Sequence, residues 1–375
     1  MKKLKSVIKY AVIVLNTMAV TLTAVKFTNG SGGYLRMLIK QYYVDEVDTK
    51  KLNDGANAGM LGVLGDEHTF YIPSDYGYDT LEEEVTGEYV GIGVTISQNN
   101  GEVYVVNVFK NSPAEEAGII GGDVVLKVEG EDVLGKSVDY VSSKVRGKAG
   151  TNVKITVKRG EKELDVTAER RHVNAQSVMG KMATDNIGYI SVSSFDIDTD
   201  KEMMSEIDAL GDIDGLIIDL RDNPGGIMHV AINSIDMFLD DGKILIARYK
   251  NHTETYDADE DVRYTMPVTI LVNENSASAS EIFSAALKEN GRAKVVGVNT
   301  YGKGTIQQTF SLPSNAGANI TVGRFYSPLD NEINKVGVAP DFEVTLPDEL
   351  KGTATSLIPT DEDVQLKKAI ETFAK

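Results

Sequence analysis

Ser278 and Lys303 carry the most chemistry this chain has to offer. Ser278 lies in Asn275-Ser276-Ala277-Ser278-Ala279-Ser280-Glu281, at the mouth of an expected helix. Lys303 lies 25 positions on, in Tyr301-Gly302-Lys303-Gly304-Thr305-Ile306-Gln307-Gln308. A serine hydroxyl needs a base before it can attack a carbonyl. Lysine is normally protonated at neutral pH, with a pKa of ~10.4. Burial disfavours the charged form and brings lysine into the range of a general base. Gln307 follows Lys303 by four residues and shares its face in either a helix or a strand, so its amide is placed to hold the amine in line. A helix mouth offers unpaired N–H groups and a positive dipole end, and the Ala279 N–H is the obvious donor to a developing oxyanion. Serines at such a place also read as plain caps and small packing residues.

A second loop, Arg221-Asp222-Asn223-Pro224-Gly225-Gly226, follows the apolar strand Leu216–Leu220. Sites in parallel α/β sheets form at the carboxyl ends of strands. Pro-Gly-Gly can turn successive N–H groups toward one point, so Gly225 or Gly226 is the candidate second oxyanion donor, unless the loop is simply a tight turn. Gly297 to Gly304 matches seven positions of a phosphate-binding P-loop. The eighth position demands Ser or Thr to hold magnesium, and Gly304 stands there, so nucleotide binding is set aside. No Gly-x-Ser-x-Gly elbow occurs. The one Ser-x-x-Lys, Ser6–Lys9, lies in the N-terminal segment. None of the four histidines has a partner at metal-ligand spacing, and the acidic runs Asp196–Asp200 and Asp257–Asp261 read as solvated loops. No metal and no cofactor are expected.

Composition narrows the classes. A net charge of −18 argues against a nucleic-acid partner, which would need a basic surface. The absence of cysteine excludes disulfides, thiolate metal sites and a cysteine nucleophile. Lys2, Lys3, Lys5 and Lys9 precede an uncharged run from Tyr10 to Val25. This pattern predicts a membrane anchor with the bulk of the chain outside the cell, the alternative being a cleaved secretory signal.

The elements follow from periodicity. Residues 34–85 read as a helical region, with Leu35, Leu38, Ile39 and Tyr42 at helical spacing and a second apolar stripe from Leu52 to Leu64 that Gly65-Asp66-Glu67-His68-Thr69 ends, the glycine as C-cap. From Tyr89 the period turns to strands: Val90–Ile96, Val103–Val108, Val124–Val128, Val153–Lys158 and Leu164–Ala168, with a short helix at Ser112-Pro113-Ala114 and another near Val138–Val145. From Val173 strands and helices alternate, with buried-type strands at Ile187–Val192, Gly215–Leu220, Pro267–Val272 and Lys294–Val298, and helices at Asp200–Leu210 and Glu281–Lys288. This alternation implies a mostly parallel sheet.

The strand-rich stretch resembles a PDZ domain. The resemblance rests on Gly91-Ile92-Gly93-Val94 together with Ser112-Pro113-Ala114, Ala117-Gly118 and Gly122-Asp123. Glycines expose backbone N–H groups to a terminal carboxylate, and the adjacent strand edge pairs with an incoming peptide. By itself Gly91-Ile92-Gly93-Val94 would read as a bulged strand.

The chain as a whole resembles the carboxyl-terminal processing peptidases, a serine protease family with a Ser-Lys dyad and a PDZ domain. Gly65-Asp66-Glu67-His68-Thr69, Asp219–Gly226, Ser276–Glu281, Tyr301–Gln308 and Gly337-Val338-Ala339-Pro340-Asp341 carry the match. The resemblance implies Ser278 as nucleophile, Lys303 as base, Gln307 as its orienting partner, and an oxyanion hole from Ala279 with Gly225 or Gly226. It implies an α/β, ClpP/crotonase-like protease core with an inserted PDZ-like domain that gates the active site, and assigns Arg146 to the link between the two. The expected division is an anchor and linker over 1–30, a helical region over 31–85, the PDZ domain over 86–168 and the protease core over 169–375. Protein substrates held through their C-terminal residues are the expected partners. An activating protein is a further candidate, as is a homodimer through the N-terminal helices and the Asp363–Phe373 tail. The rival class is a non-catalytic PDZ scaffold at the cell surface.

Overall fold

The computed structural model describes residues 30–77, 88–99, 101–109, 111–174, 176–259, 261–350, 355 and 358–374. They form two compact units. The smaller holds the chain up to Asp75 together with Thr309–Ile320; the larger holds Tyr76–Gln308 and Thr321–Lys375.

In the smaller unit, helix α1 is described over 30–42. Helix α2 (Thr49–Gly62) is capped by Asp48, whose carboxylate accepts the Lys50 and Lys51 N–H groups. The second apolar stripe ends at the expected glycine, and a strand follows that was not expected. Gly65 adopts φ +65°, and Asp66 accepts from the His68 N–H and the Thr69 hydroxyl, which breaks the helix and turns the chain into strand β1 (Phe70–Ile72). β1 pairs antiparallel with the Gly317–Asn319 part of strand β18 (Ala316–Tyr326). An aromatic, aromatic, β-branched triplet suits a pleated ladder better than a helix.

The larger unit contains an antiparallel domain and an α/β core. The former uses β2 (Glu88–Gly91), β3 (Val94–Asn99), β4 (Glu102–Val108), helix α3 (Pro113–Glu116), β5 (Val124–Val128), β6 (Glu131–Asp132), helix α4 (Val138–Val145), β7 (Asn152–Arg159), β8 (Lys162–Glu169) and β9 (Arg171–Asn174). Its sheet runs β3-β4-β5-β7-β8, with β6 on β5. Alternate residues Val103, Val105, Val153, Ile155 and Val157 face one core with Ala114 and Val141. β2 and β9 pair as a two-stranded ribbon, so the chain enters and leaves this domain side by side.

The core is a six-stranded sheet in the order β10 (Val178–Met182), β11 (Ile187–Val192), β12 (Gly215–Asp219), β15 (Val268–Val272), β16 (Ala293–Gly297) and β19 (Phe342–Glu343). Only β10 runs antiparallel. β12 and β15 are buried throughout, because both faces are covered. Leu216, Ile218, Ile270 and Val295 pack with helices α5 (Thr199–Ala209), α6 (Met228–Asp236) and α7 (Ala279–Glu289). Ile217, Leu271 and Val296 face the other way, against Leu366 and Ala369 of helix α8 (Val364–Glu371). The Asp363–Phe373 tail, expected at a dimer interface, thus lays its apolar stripe on its own sheet. Strands β13 (Lys243–Tyr249), β14 (Thr253–Asp257) and β18 form a second antiparallel layer, and β17 (Thr305–Leu312) pairs with β18.

Among the described residues no helix is long and apolar enough to cross a membrane. The expected single-pass anchor is therefore withdrawn; the Tyr10–Val25 run on which it stood lies outside the described residues.

Candidate active site

The buried strand β15 delivers the chain to a turn fixed by its own side chains. Asn273 Oδ1 accepts the Asp222 and Asn275 N–H groups at 2.9 and 3.1 Å. Ser276 Oγ donates to the Leu220 carbonyl at 2.7 Å. Ser278 follows at φ 55°, ψ −113°, a backbone conformation that L-residues rarely adopt. Such strain persists only where the surroundings impose it, and it is concentrated at functional sites. Here the Ala277 N–H donates to the Asn223 carbonyl at 3.0 Å, and the Ser278 N–H to Glu281 Oε2 at 2.8 Å.

Glu281 is the hub. It is wholly buried, in the first turn of α7. Besides Ser278, its Oε2 accepts the Lys303 N–H at 2.8 Å; its Oε1 accepts the Gly302 N–H at 2.7 Å and the Thr300 hydroxyl at 2.5 Å. Burial pushes its pKa above the ordinary carboxylate value, and these hydrogen bonds oppose the rise. One carboxylate therefore joins the serine turn to the lysine loop. Both side chains, Ser278 and Lys303, are half-buried. The Ser278 and Lys303 N–H groups meet on Glu281 Oε2, so this carboxylate links the two segments.

The glycine loop lies against the serine. A Cβ on Gly225 would sit 2.7 Å from Ser278 Cβ and 2.9 Å from the Ala279 nitrogen, and its φ is +104°. Glycine is needed on both counts. The Gly225 N–H donates to Asn223 Oδ1 at 2.8 Å, so this amide is already engaged. The N–H groups of Gly226 and Ala279 have no hydrogen-bond acceptor among the described residues. Of the three expected oxyanion donors, the geometry leaves those two open. Gln307 donates its amide N–H groups to the Thr305 and Thr321 hydroxyls, at 2.8 and 3.2 Å, which orients the side chain and leaves Oε1 as its acceptor.

In the antiparallel domain, Gly91, Ile92, Gly93 and Val94 line one end of an apolar cavity of about 70 Å³. Val105, Val141, Val145 and the exposed Arg146 also line it. The Ile92 and Gly93 N–H groups have no backbone acceptor among the described residues, although the carbonyls of both are bonded, to Ala114 and Phe109.

A profile of peptidase family S41 matches residues 186–344, and a PDZ-domain profile matches residues 90–169. The carboxy-terminal processing protease CtpA of Bacillus subtilis is 36% identical over 318 residues, which cover 84% of this chain and 68% of that protein. The chain belongs to peptidase family S41. A Staphylococcus haemolyticus protein described as a CtpA-like serine protease is 35% identical over 335 residues, or 88% of this chain and 66% of the relative. The chain thus spans about two thirds of these relatives' length. Among solved structures, the photosystem II D1 C-terminal processing protease superposes with a TM-score of 0.51 at 26% identity, over 88% of this chain and 93% of that one.

Two features of this S41 chain escaped the sequence. The first is the role of Glu281, visible only as one letter of a serine-rich motif. The second lies beneath the glycine loop. Arg221, buried, donates Nε and Nη2 to Asp219 and Nη1 and Nη2 to Asp363, with a further bond from Nη1 to Gln365 Oε1 at 3.0 Å. Tyr189 donates to Asp219 at 2.8 Å, and burial beside that charge raises its phenol pKa strongly. Asp363 also caps α8 through the Gln365 and Leu366 N–H groups. The Asp219–Arg221 alternation in a loop was the only clue; the partner lies 142 residues away.

Proposed function

We propose that this chain is a serine endopeptidase that captures protein C-termini in its PDZ domain and cleaves them with Ser278 and Lys303. The observation that carries the reading is the Glu281 carboxylate holding the Ser278 and Lys303 N–H groups on one oxygen. It places two distant residues of complementary chemistry side by side in backbone position.

In the first step the Ser278 oxygen bonds to the substrate carbonyl carbon, and its proton passes to the neutral Lys303 amine. The carbonyl oxygen takes up negative charge between the open N–H groups of Gly226 and Ala279. The C–N bond breaks as the Lys303 ammonium returns the proton to the leaving amine. Water then gives up a proton to Lys303 as its oxygen bonds to the ester carbon; the C–O bond to Ser278 breaks as the Lys303 ammonium returns that proton to the serine oxygen, releasing the acid and regenerating the hydroxyl and the neutral amine. Gln307 Oε1 accepts from the amine and keeps it in line. Bound substrate tightens the hydrogen bond between hydroxyl and amine, as is common for catalytic hydrogen bonds.

The PDZ cavity supports the capture step. Open N–H groups at Ile92 and Gly93 suit a terminal carboxylate, and the valine and isoleucine walls suit an apolar last side chain. Arg146, which also lines that cavity, is the proposed link from ligand to protease.

The test is digestion of casein and of an unfolded protein with a defined apolar C-terminus. Ser278→Ala and Lys303→Ala should each abolish cleavage while leaving peptide binding intact. Cleavage retained by Ser278→Ala would overturn the nucleophile assignment. A wild-type chain that binds C-terminal peptides but cleaves nothing would return the protein to the scaffold class.

A further inference from the structure

We infer that Thr300 is a positioning residue for the proposed Ser-Lys reaction, coupling the segment Asn334–Val338 to the catalytic junction through the Glu281 carboxylate. The inference rests on the reading of Ser278 and Lys303 given above, and adds a residue that touches neither reacting atom.

Thr300 is buried and its hydroxyl is used in both directions. It donates to Glu281 Oε1 at 2.5 Å and accepts the Val338 N–H at 2.7 Å. The Thr300 N–H returns to the Val338 carbonyl at 3.3 Å. The Glu281 oxygen it holds is the one that also accepts the Gly302 N–H; the other oxygen serves Ser278 and Lys303. A carboxylate is a rigid plane, so fixing one oxygen fixes the other. Without the Thr300 hydroxyl, the Gly302 N–H alone would hold the Oε1 side, and the plane would be free to tilt.

Independent contacts show that the lysine loop is shaped on the same segment. A Cβ on Gly304 would fall 2.4 Å from the Asn334 nitrogen, and one on Gly302 would fall 3.0 Å from the Val336 nitrogen. The Lys335 N–H donates to the Gly302 carbonyl at 2.7 Å, and Lys335 itself takes φ +62°. Asn299 Nδ2 donates to the Val336 carbonyl at 2.9 Å. Lys303 is thus flanked by two glycines that lie on Asn334 and Val336, while Thr300 carries the position of Val338 into Glu281. The hydroxyl is a needed part of this chain of contacts, since a methyl in its place could neither donate to the carboxylate nor accept from Val338.

The experiment compares Thr300→Val, Thr300→Ser and wild type, with Ser278→Ala as reference. Steady-state cleavage of a peptide substrate gives kcat and KM, and the rate of Ser278 labelling by a fluorophosphonate probe gives nucleophile reactivity without turnover. Thr300→Val is expected to lower kcat and the labelling rate together by roughly 10-fold or more, with KM within about twofold, since a misplaced catalytic group costs rate rather than uniform binding. Thr300→Ser, which keeps the hydroxyl, should recover most of both. Should Thr300→Val fail to fold, Thr300→Ala, which lacks both donor and acceptor, takes its place. Wild-type kcat and labelling in Thr300→Val or Thr300→Ala would overturn the inference. So would a Thr300→Ser variant as slow as Thr300→Val, which would assign the effect to packing. Activity surviving in Ser278→Ala would instead overturn the underlying dyad reading.

Discussion

Replacing Glu281 by glutamine exchanges a four-fold acceptor for a group with one acceptor oxygen and one donor nitrogen. The amide has two orientations. With its oxygen at the Oε2 place it still accepts from Ser278 and Lys303, but its NH2 faces the Gly302 N–H, which is stranded. Flipped, it strands the Ser278 and Lys303 N–H groups together. A buried N–H left without an acceptor costs about 1–3 kcal/mol. The first orientation strands one backbone N–H instead of two, so the variant should adopt it and lose about 1–3 kcal/mol of stability, a fall of roughly 2–10 °C in Tm. The lower end applies if relief of the buried charge, which raises the Glu281 pKa, offsets part of the loss. Because Ser278 and Lys303 stay held, kcat should fall only modestly, by about 10-fold. Glu281→Ala removes every acceptor, and a catalytic group displaced by about 1 Å costs on the order of 100-fold. Thermal denaturation and steady-state peptide cleavage measure both. Equal kcat for the glutamine and alanine variants, or wild-type behaviour in both, would refute the view that this carboxylate aligns the serine with the lysine.

Lys303→Arg should be as inactive as Lys303→Ala, because a guanidinium cannot be deprotonated in a protein; comparable cleavage by the arginine variant would exclude lysine as the base. In the wild type, kcat/KM should rise with pH through one basic ionisation as the amine becomes neutral. It should fall on the acid side as Glu281 protonates, above the usual carboxylate range, and this acid limb should vanish in Glu281→Gln; a pH profile with the limb intact in that variant would remove Glu281 from it. Gly225→Ala should lower kcat about 100-fold, since its Cβ would be driven into Ser278 and the Ala279 nitrogen; full activity would mean the loop moves freely. Arg221→Met leaves Asp219 and Asp363 buried without their cation and should cost about 3–5 kcal/mol, read by chemical denaturation, with an unchanged midpoint as the contrary result.

Local signals carried most of what the sequence could tell. The serine at a strand-to-helix junction, the Pro-Gly-Gly turn and the lysine between glycines each follow from backbone demands within a few residues. The buried strands announced themselves as continuous apolar runs, because helices cover both faces of the sheet. What stayed hidden depends on closure over long spans. Nothing near Thr300 says that Val338 will return to it, and nothing near Arg221 names Asp363. Phe70–Ile72 went unread as a strand because its ladder partner is more than two hundred residues away. Gly225 and Gly226 looked equivalent as donors; only the Asn223 side chain, folded back on Gly225, separates them.

The pairing of Arg221 with Asp363 has a consequence for the order of folding. The loop that carries Gly226 stands on a guanidinium whose second counter-ion lies 142 residues further on, in the cap of α8. Until that helix docks on the sheet, Asp219 alone balances the guanidinium and the turn lacks half of its support. The loop is therefore set by long-range closure rather than by its own neighbours.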